Sequence, residues 1–191
     1  MPRKLVSKVV EDEEIIVRGL LDPLFWSHRK KRFKKEAFMP PPNRPDVSVL
    51  RLLYADDNLC KCHAASLIIP NQSYVGLAVV LPQDIRRING TIPENDIKVE
   101  VICTPIDESK SIVSEEVPVY SDDKGLPMHA DIAYSEINNK GEESEIGSPR
   151  EKIGQISMEI CRSAVGQNDP NPSSDKWEGT PLAELIKYKV A

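Results

Sequence analysis

"VSVLRLLYADDNLCKCHAASLII", residues 47–69, changes its period part-way along, and the change decides how the chain is read. Residues 47–54 are mostly apolar, β-branched at the start, and bounded by Pro45-Asp46 and by Ala55-Asp56-Asp57-Asn58, which marks a strand. From Asp56 onward the pattern is helical. Asp56 or Asp57 can cap the first turn, and Leu59, Cys62 or His63, and Ser66 recur at helical spacing.

The mixture repeats on either side. "YVGLAVVL" (74–81) is a continuous apolar run that fits a strand buried on both faces, and Pro82 opens one short helical turn in "PQDIRRI". In "IKVEVICT" (97–104) Ile97, Val99, Val101 and Cys103 alternate with Lys98 and Glu100, the pattern of a half-exposed strand. "VPVY" (117–120) and "HADIAY" (129–134) are shorter strand candidates. "SPREKIGQISMEICRSAVG" (148–166) is the strongest helix. Ser148 caps it, Pro149 sits at its first position, Glu151 completes a capping box, Gly166 stops it, and Ile153, Ile156, Ile160 and Ala164 form the buried stripe.

Toward the N-terminus, "EDEEIIVRGLLDPLFW" places acids before an apolar stretch, which predicts a short helix ended by Pro23. "FMPPPNRPD" holds four prolines between residues 40 and 45 and must be extended. These elements, interspersed without strict alternation, predict an α+β domain with a mixed or antiparallel sheet packed by a few helices. Residues 1–191 read as one domain, with a basic loop at 28–35, a polar loop at 138–149 and a C-terminal docking segment at 168–191.

Hydrophobic residues make up 40% and charged residues 29%, enough for a sizeable core. The net charge of −5 argues against a general nucleic-acid coat protein, yet "HRKKRFKK" (28–35) carries six Lys/Arg and no acid. No apolar run approaches a membrane span and no secretory leader is evident, so a cytoplasmic location with reduced cysteines is expected.

Four places carry candidate chemistry. Cys60, Cys62 and His63 stand in a C-x-C-H spacing that supplies no paired four-ligand zinc set, so no metal and no cofactor is predicted and the cysteines read as core residues. His129 and Asp131 are two apart on a predicted strand and therefore share a face. A carboxylate beside an imidazole can fix its tautomer and support it as a general base or ligand. Arg51 lies inside an apolar strand. It must snorkel, face a pocket or pair with an acid, and Asp46 and Asp131 are the expected partners. If Arg51, His63, His129 and Asp131 converge, the set suits phosphate-ester chemistry, with arginine holding charge and histidines moving protons. Finally, Arg29, Lys30, Lys31, Arg32, Lys34 and Lys35 surround Phe33 and can grip phosphates while the ring stacks a base. A solvated turn with weak binding is the expected behaviour of such a run.

Six stretches, "IVRGLLDPLFW", "EAFMPPPNRPDVSVLR", "CKCHAASL", "YVGLAVV", "PMHADIAY" and "DPNPSSDKW", resemble a group of small, largely uncharacterised bacterial proteins. The resemblance follows the same order along much of the chain, and "FMPPP…DVSVLR" and "PMHADI" are its most specific parts. It implies an association with bacterial conflict or phage-defence gene clusters and transfers no catalytic residue. The leading expectation is therefore a defence component that binds a protein or nucleic-acid partner. The alternative is an enzyme acting on a phosphate ester or nucleotide through the His/Asp/Arg set.

Overall fold

The acidic N-terminal stretch becomes a strand, not a helix: β1 spans Ile16–Asp22. It lies between two other strands, pairing along its whole length with one of them, and Ile15, Ile16 and Val17 suit a pleated surface better than a helical one. In the computed structural model the described residues are 5–30, 32–67, 69–92, 96–109, 111–113, 125–137, 142–144 and 150–189.

After β1 come β2 (Trp26–Ser27) and β3 (Arg32–Phe33), a small hairpin, and a 3-10 turn at Lys35–Phe38. Then follow β4 (Asp46–Arg51), α1 (Asp57–Ser66), β5 (Ser73–Val80), α2 (Pro82–Ile88), β6 (Ile97–Cys103) and β7 (His129–Ile137). The chain continues through β8 (Glu143–Ser144), α3 (Arg150–Ser163), β9 (Val165–Asn168) and α4 (Leu182–Leu185). The 117–120 strand candidate, Ser148, Pro149 and most of the 138–149 loop lie outside the described residues.

The main sheet runs β6-β7-β4-β1-β5-β9, every neighbouring pair is antiparallel, and β8 adds to β7 at the margin. The sequence-predicted α+β domain is thus what forms. Both faces are covered. Ile16, Leu20, Val47, Val49, Ala78, Val80, Ile132 and Tyr134 pack on the side of α2 and α3, while Val17, Leu50, Leu77 and Val79 pack on the side of α1 and α4. Two-sided burial explains why the β5 sequence is apolar throughout.

The strongest predicted helix forms and buries Ile153, Ile156 and Ile160. Each such side chain contributes roughly 1.5–3 kcal/mol. Its end differs from expectation. The helix closes at Ser163, and Gly166 belongs to β9, where a Cβ would come within 2.1 Å of the Phe33 ring. Asp56 caps α1 by accepting from the Leu59 N–H at 2.7 Å. α1 then packs so closely on β1 that a Cβ at Gly19 would lie 2.6 Å from that of Ala64.

Candidate active site between α1 and the sheet

The period-two rule positions the site. On β7, Ala130, Ile132 and Tyr134 turn into the α3-side core, which leaves His129 and Asp131 on the α1 side. The third turn of α1 brings His63 over the same region. His63 and His129 both line a cleft of about 170 Å³, together with Arg18, Ser48, Cys60, Leu67, Ile106 and Leu126.

His129 and Asp131 are held rigidly. Both are buried, and Thr104, just past the end of β6, joins them. The Thr104 carbonyl lies 2.8 Å from His129 Nδ1, and a carbonyl can only accept, so Nδ1 carries a proton. The Thr104 hydroxyl donates its single proton to Asp131 Oδ2 at 2.7 Å and faces the same Nδ1–H at 3.0 Å with a lone pair. In the neutral ring Nε2 is therefore unprotonated. It lies 3.8 Å from Asp131 Oδ1, beyond hydrogen-bond range, and that oxygen has no hydrogen-bond partner among the described residues. Two acceptors so placed are matched by a group with two donor hydrogens, one directed to each acceptor at about 2.8 Å.

Arg18 has the parity of Ile16 and Leu20 on β1, and it borders the cleft where the β1–β4 ladder ends. The β1–β4 ladder pairs Ile16 with Arg51 and Val17 with Leu50. Just past these pairs the Arg18 guanidinium takes the place of further ladder bonds. It donates from Nη1 to the Ser48 carbonyl at 2.7 Å and from Nε to the Ala37 carbonyl at 3.1 Å, and it lies 5.0 Å from the centre of the Phe25 ring. Burial lowers its pKa to about 10, partly offset by Asp131 and Tyr134, and it remains charged at neutral pH. The pKa of His63 is lowered below the ordinary 6.5, first by burial and then by His129 and Arg18.

Of the residues expected to converge, His63 and His129 border one cleft, Asp131 lies beside His129, and Arg51 is elsewhere. Arg51 has the parity of Val47 and Val49 and so faces the opposite side of the sheet from Asp131. Its partner is neither Asp46 nor Asp131 but Glu14, which precedes β1. Arg51 Nε and Nη2 donate to Glu14 Oε2 and Oε1 at 2.8 and 2.6 Å, Nη2 also donates to the Val9 carbonyl, and the guanidinium stacks 4.7 Å from the Tyr54 ring centre. Sequence reading missed Arg18 because its segment looked helical, and missed Thr104 because it stands at a strand end with no motif around it.

The opening cysteines separate. Cys60 is buried, and burial followed by Asp57 and Asp56 pushes its thiol pKa up, whereas Cys62 is exposed and donates to the Asp175 carbonyl at 3.4 Å. Among the described residues no group of three His, Cys, Asp or Glu side chains could hold a metal ion. Lys61, between the two cysteines, is fully buried. Its ammonium meets Asp169 Oδ2 at 2.8 Å and the Asn171 and Lys176 carbonyls at 2.8 and 2.7 Å, so all three N–H groups are satisfied.

The basic block lies elsewhere. Arg32 and Phe33 are β3 itself, and Lys30, Arg32, Lys34 and Lys35 line a second groove against α3. Arg29 is exposed beside it, and Lys31 is outside the described residues. No described helix is long and apolar enough to cross a membrane. No protein-family model matches the chain, and no curated protein or solved structure shows significant similarity to it.

Proposed function

We propose that the chain is an enzyme performing acid–base chemistry on a phosphate ester or nucleotide in the cleft between α1 and the sheet. The observation that carries this reading is the meeting of His63 and His129 at one concave surface, with Asp131 behind His129 and Arg18 in the wall. The two imidazoles have opposed surroundings, the arrangement that divides acid from base. Burial, then His129 and Arg18, lower the His63 pKa and so favour the neutral ring, which can take a proton from an attacking water or hydroxyl. Asp131 compensates the charge that His129 acquires when Nε2 is protonated, and that proton then passes to the leaving oxygen as the ester P–O bond breaks. Arg18 offsets charge on the non-bridging oxygens.

The cleft is small beside the roughly 300–1,000 Å³ of sites that enclose a whole drug-sized ligand. At about 170 Å³ it admits the phosphoryl group, with the rest of the substrate lying across Leu67, Ile106 and Leu126. A second reading is a bacterial cytoplasmic defence component acting through a bound partner; the basic groove beside α3 bears only on the binding of an anionic partner.

The test is turnover of phosphomonoesters, phosphodiesters and nucleotides followed by phosphorus NMR. His63→Ala and His129→Gln are expected to lower kcat by about 10²–10⁴-fold each, and Asp131→Asn by less, with melting temperature recorded for each. The acid limb of the pH profile should fall below 6.5, because His63 must be neutral to act and its pKa is depressed from that value. No turnover by the wild-type chain, or full turnover by a stable His129→Gln protein, sinks the proposal.

A further inference from the structure

The second groove has a chemistry of its own. It lies between the β2–β3 hairpin, α3 and β9, on the α3 side of the sheet, with a volume of about 650 Å³. Lys30, Arg32, Lys34, Lys35 and Arg162 line it, and among the described residues no carboxylate does, although Glu36 is near enough to raise the pKa of the lining Cys161. On a chain whose net charge is −5, that is a strong local reversal of sign. The floor is apolar. Phe33 meets Trp26 edge-on at 5.5 Å and covers Gly166, and Met158 lines the groove while staying 44% exposed.

We propose that this groove binds single-stranded nucleic acid, its phosphates on the cations of the hairpin and its bases on Met158 and Phe33. Three observations select this occupant. Most of the cations stand along the hairpin side, with Arg162 alone on α3, so a series of anions is matched better than one compact anion. The volume falls within the roughly 300–1,000 Å³ that encloses a nucleotide-sized ligand. The apolar floor rewards an unstacked base, which a duplex does not offer. Lys34 donates to the Pro23 carbonyl and Arg162 pairs with exposed Glu159, so Lys30 and Arg32, exposed on the hairpin, are the principal phosphate contacts. Four residues of the block, Lys30, Arg32, Lys34 and Lys35, thus line a groove, while Arg29, Lys30, Arg32 and Lys35 stay exposed to solvent. The proposal is independent of the acid–base chemistry on the α1 side.

Fluorescence anisotropy of the full chain with labelled oligo(dT), alone and annealed to oligo(dA), tests it across a salt series. The single strand should bind, with log K falling against log salt at a slope of roughly −2 for about three phosphate contacts. Lys30→Glu combined with Arg32→Glu should weaken binding by about tenfold or more and flatten the slope. Met158→Ala should weaken binding severalfold and leave the slope unchanged, since it removes base contact and no charge. Thermal melting of each variant confirms that it is folded. The proposal is overturned by absence of binding at low salt, by binding indifferent to either set of changes, or by a duplex bound as tightly as the single strand.

Discussion

Arg18 and Arg51 lie on adjacent strands and have opposite electrical surroundings. Arg51 is neutralised by a buried carboxylate that grips it at two atoms, whereas the nearest acceptors to Arg18 are main-chain carbonyls and its field reaches the cleft. Glu14→Ala should therefore cost about 3–5 kcal/mol, because it strands a buried cation, while Glu14→Ala with Arg51→Met should recover much of that loss. Urea denaturation of the two variants measures it, and equal loss in both would remove the pair from the account. A cost of that size marks Arg51 as a structural residue. The sequence made His129 and Asp131 legible, since spacing by two on a strand is a geometric statement. It could not assign Arg51 a partner, because Glu14 is close only after β1 and β4 have paired.

At the scale of elements, the decisive misreading was β1. Acidic residues before an apolar run are a fair helix signal, but a helix there would leave β4 and β5 without the neighbour that both pair with. Tertiary pairing overrode local preference. Gly19 was the available clue, since a glycine inside a strand often marks close backbone approach. Gly19→Ala should cost about 1–3 kcal/mol through the clash with Ala64. Adding Ala64→Gly should give a total smaller than the sum of the single losses, because the two changes share one contact. Strictly additive chemical-denaturation midpoints would contradict the tight α1–β1 packing. By contrast β5, β6, β7 and α3 announce themselves through apolar runs, alternation and helical period, signals that depend on no distant partner.

Across the whole molecule, the last stretch of chain returns from β9 to cover α1, and Lys61 fastens it there. Leu182 and Leu185 complete the α1-side core, and Tyr74 donates to the same Asp169 carboxylate that Lys61 meets. Lys61→Met should lower the melting temperature and open residues 170–189 to protease before the sheet unfolds, because a buried carboxylate then lacks its cation. Cleavage no faster than in the wild-type chain would show that the apolar contacts suffice. Two of the three acceptors that Lys61 uses are main-chain oxygens, those of Asn171 and Lys176. What Lys61 recognises in that stretch is the path of the peptide and not the identity of its side chains, and Pro172, Ser173 and Asp175 between those carbonyls are exposed. The stretch is thus a natural graft point: a foreign epitope that keeps the two carbonyls in place could be displayed there without disturbing either groove.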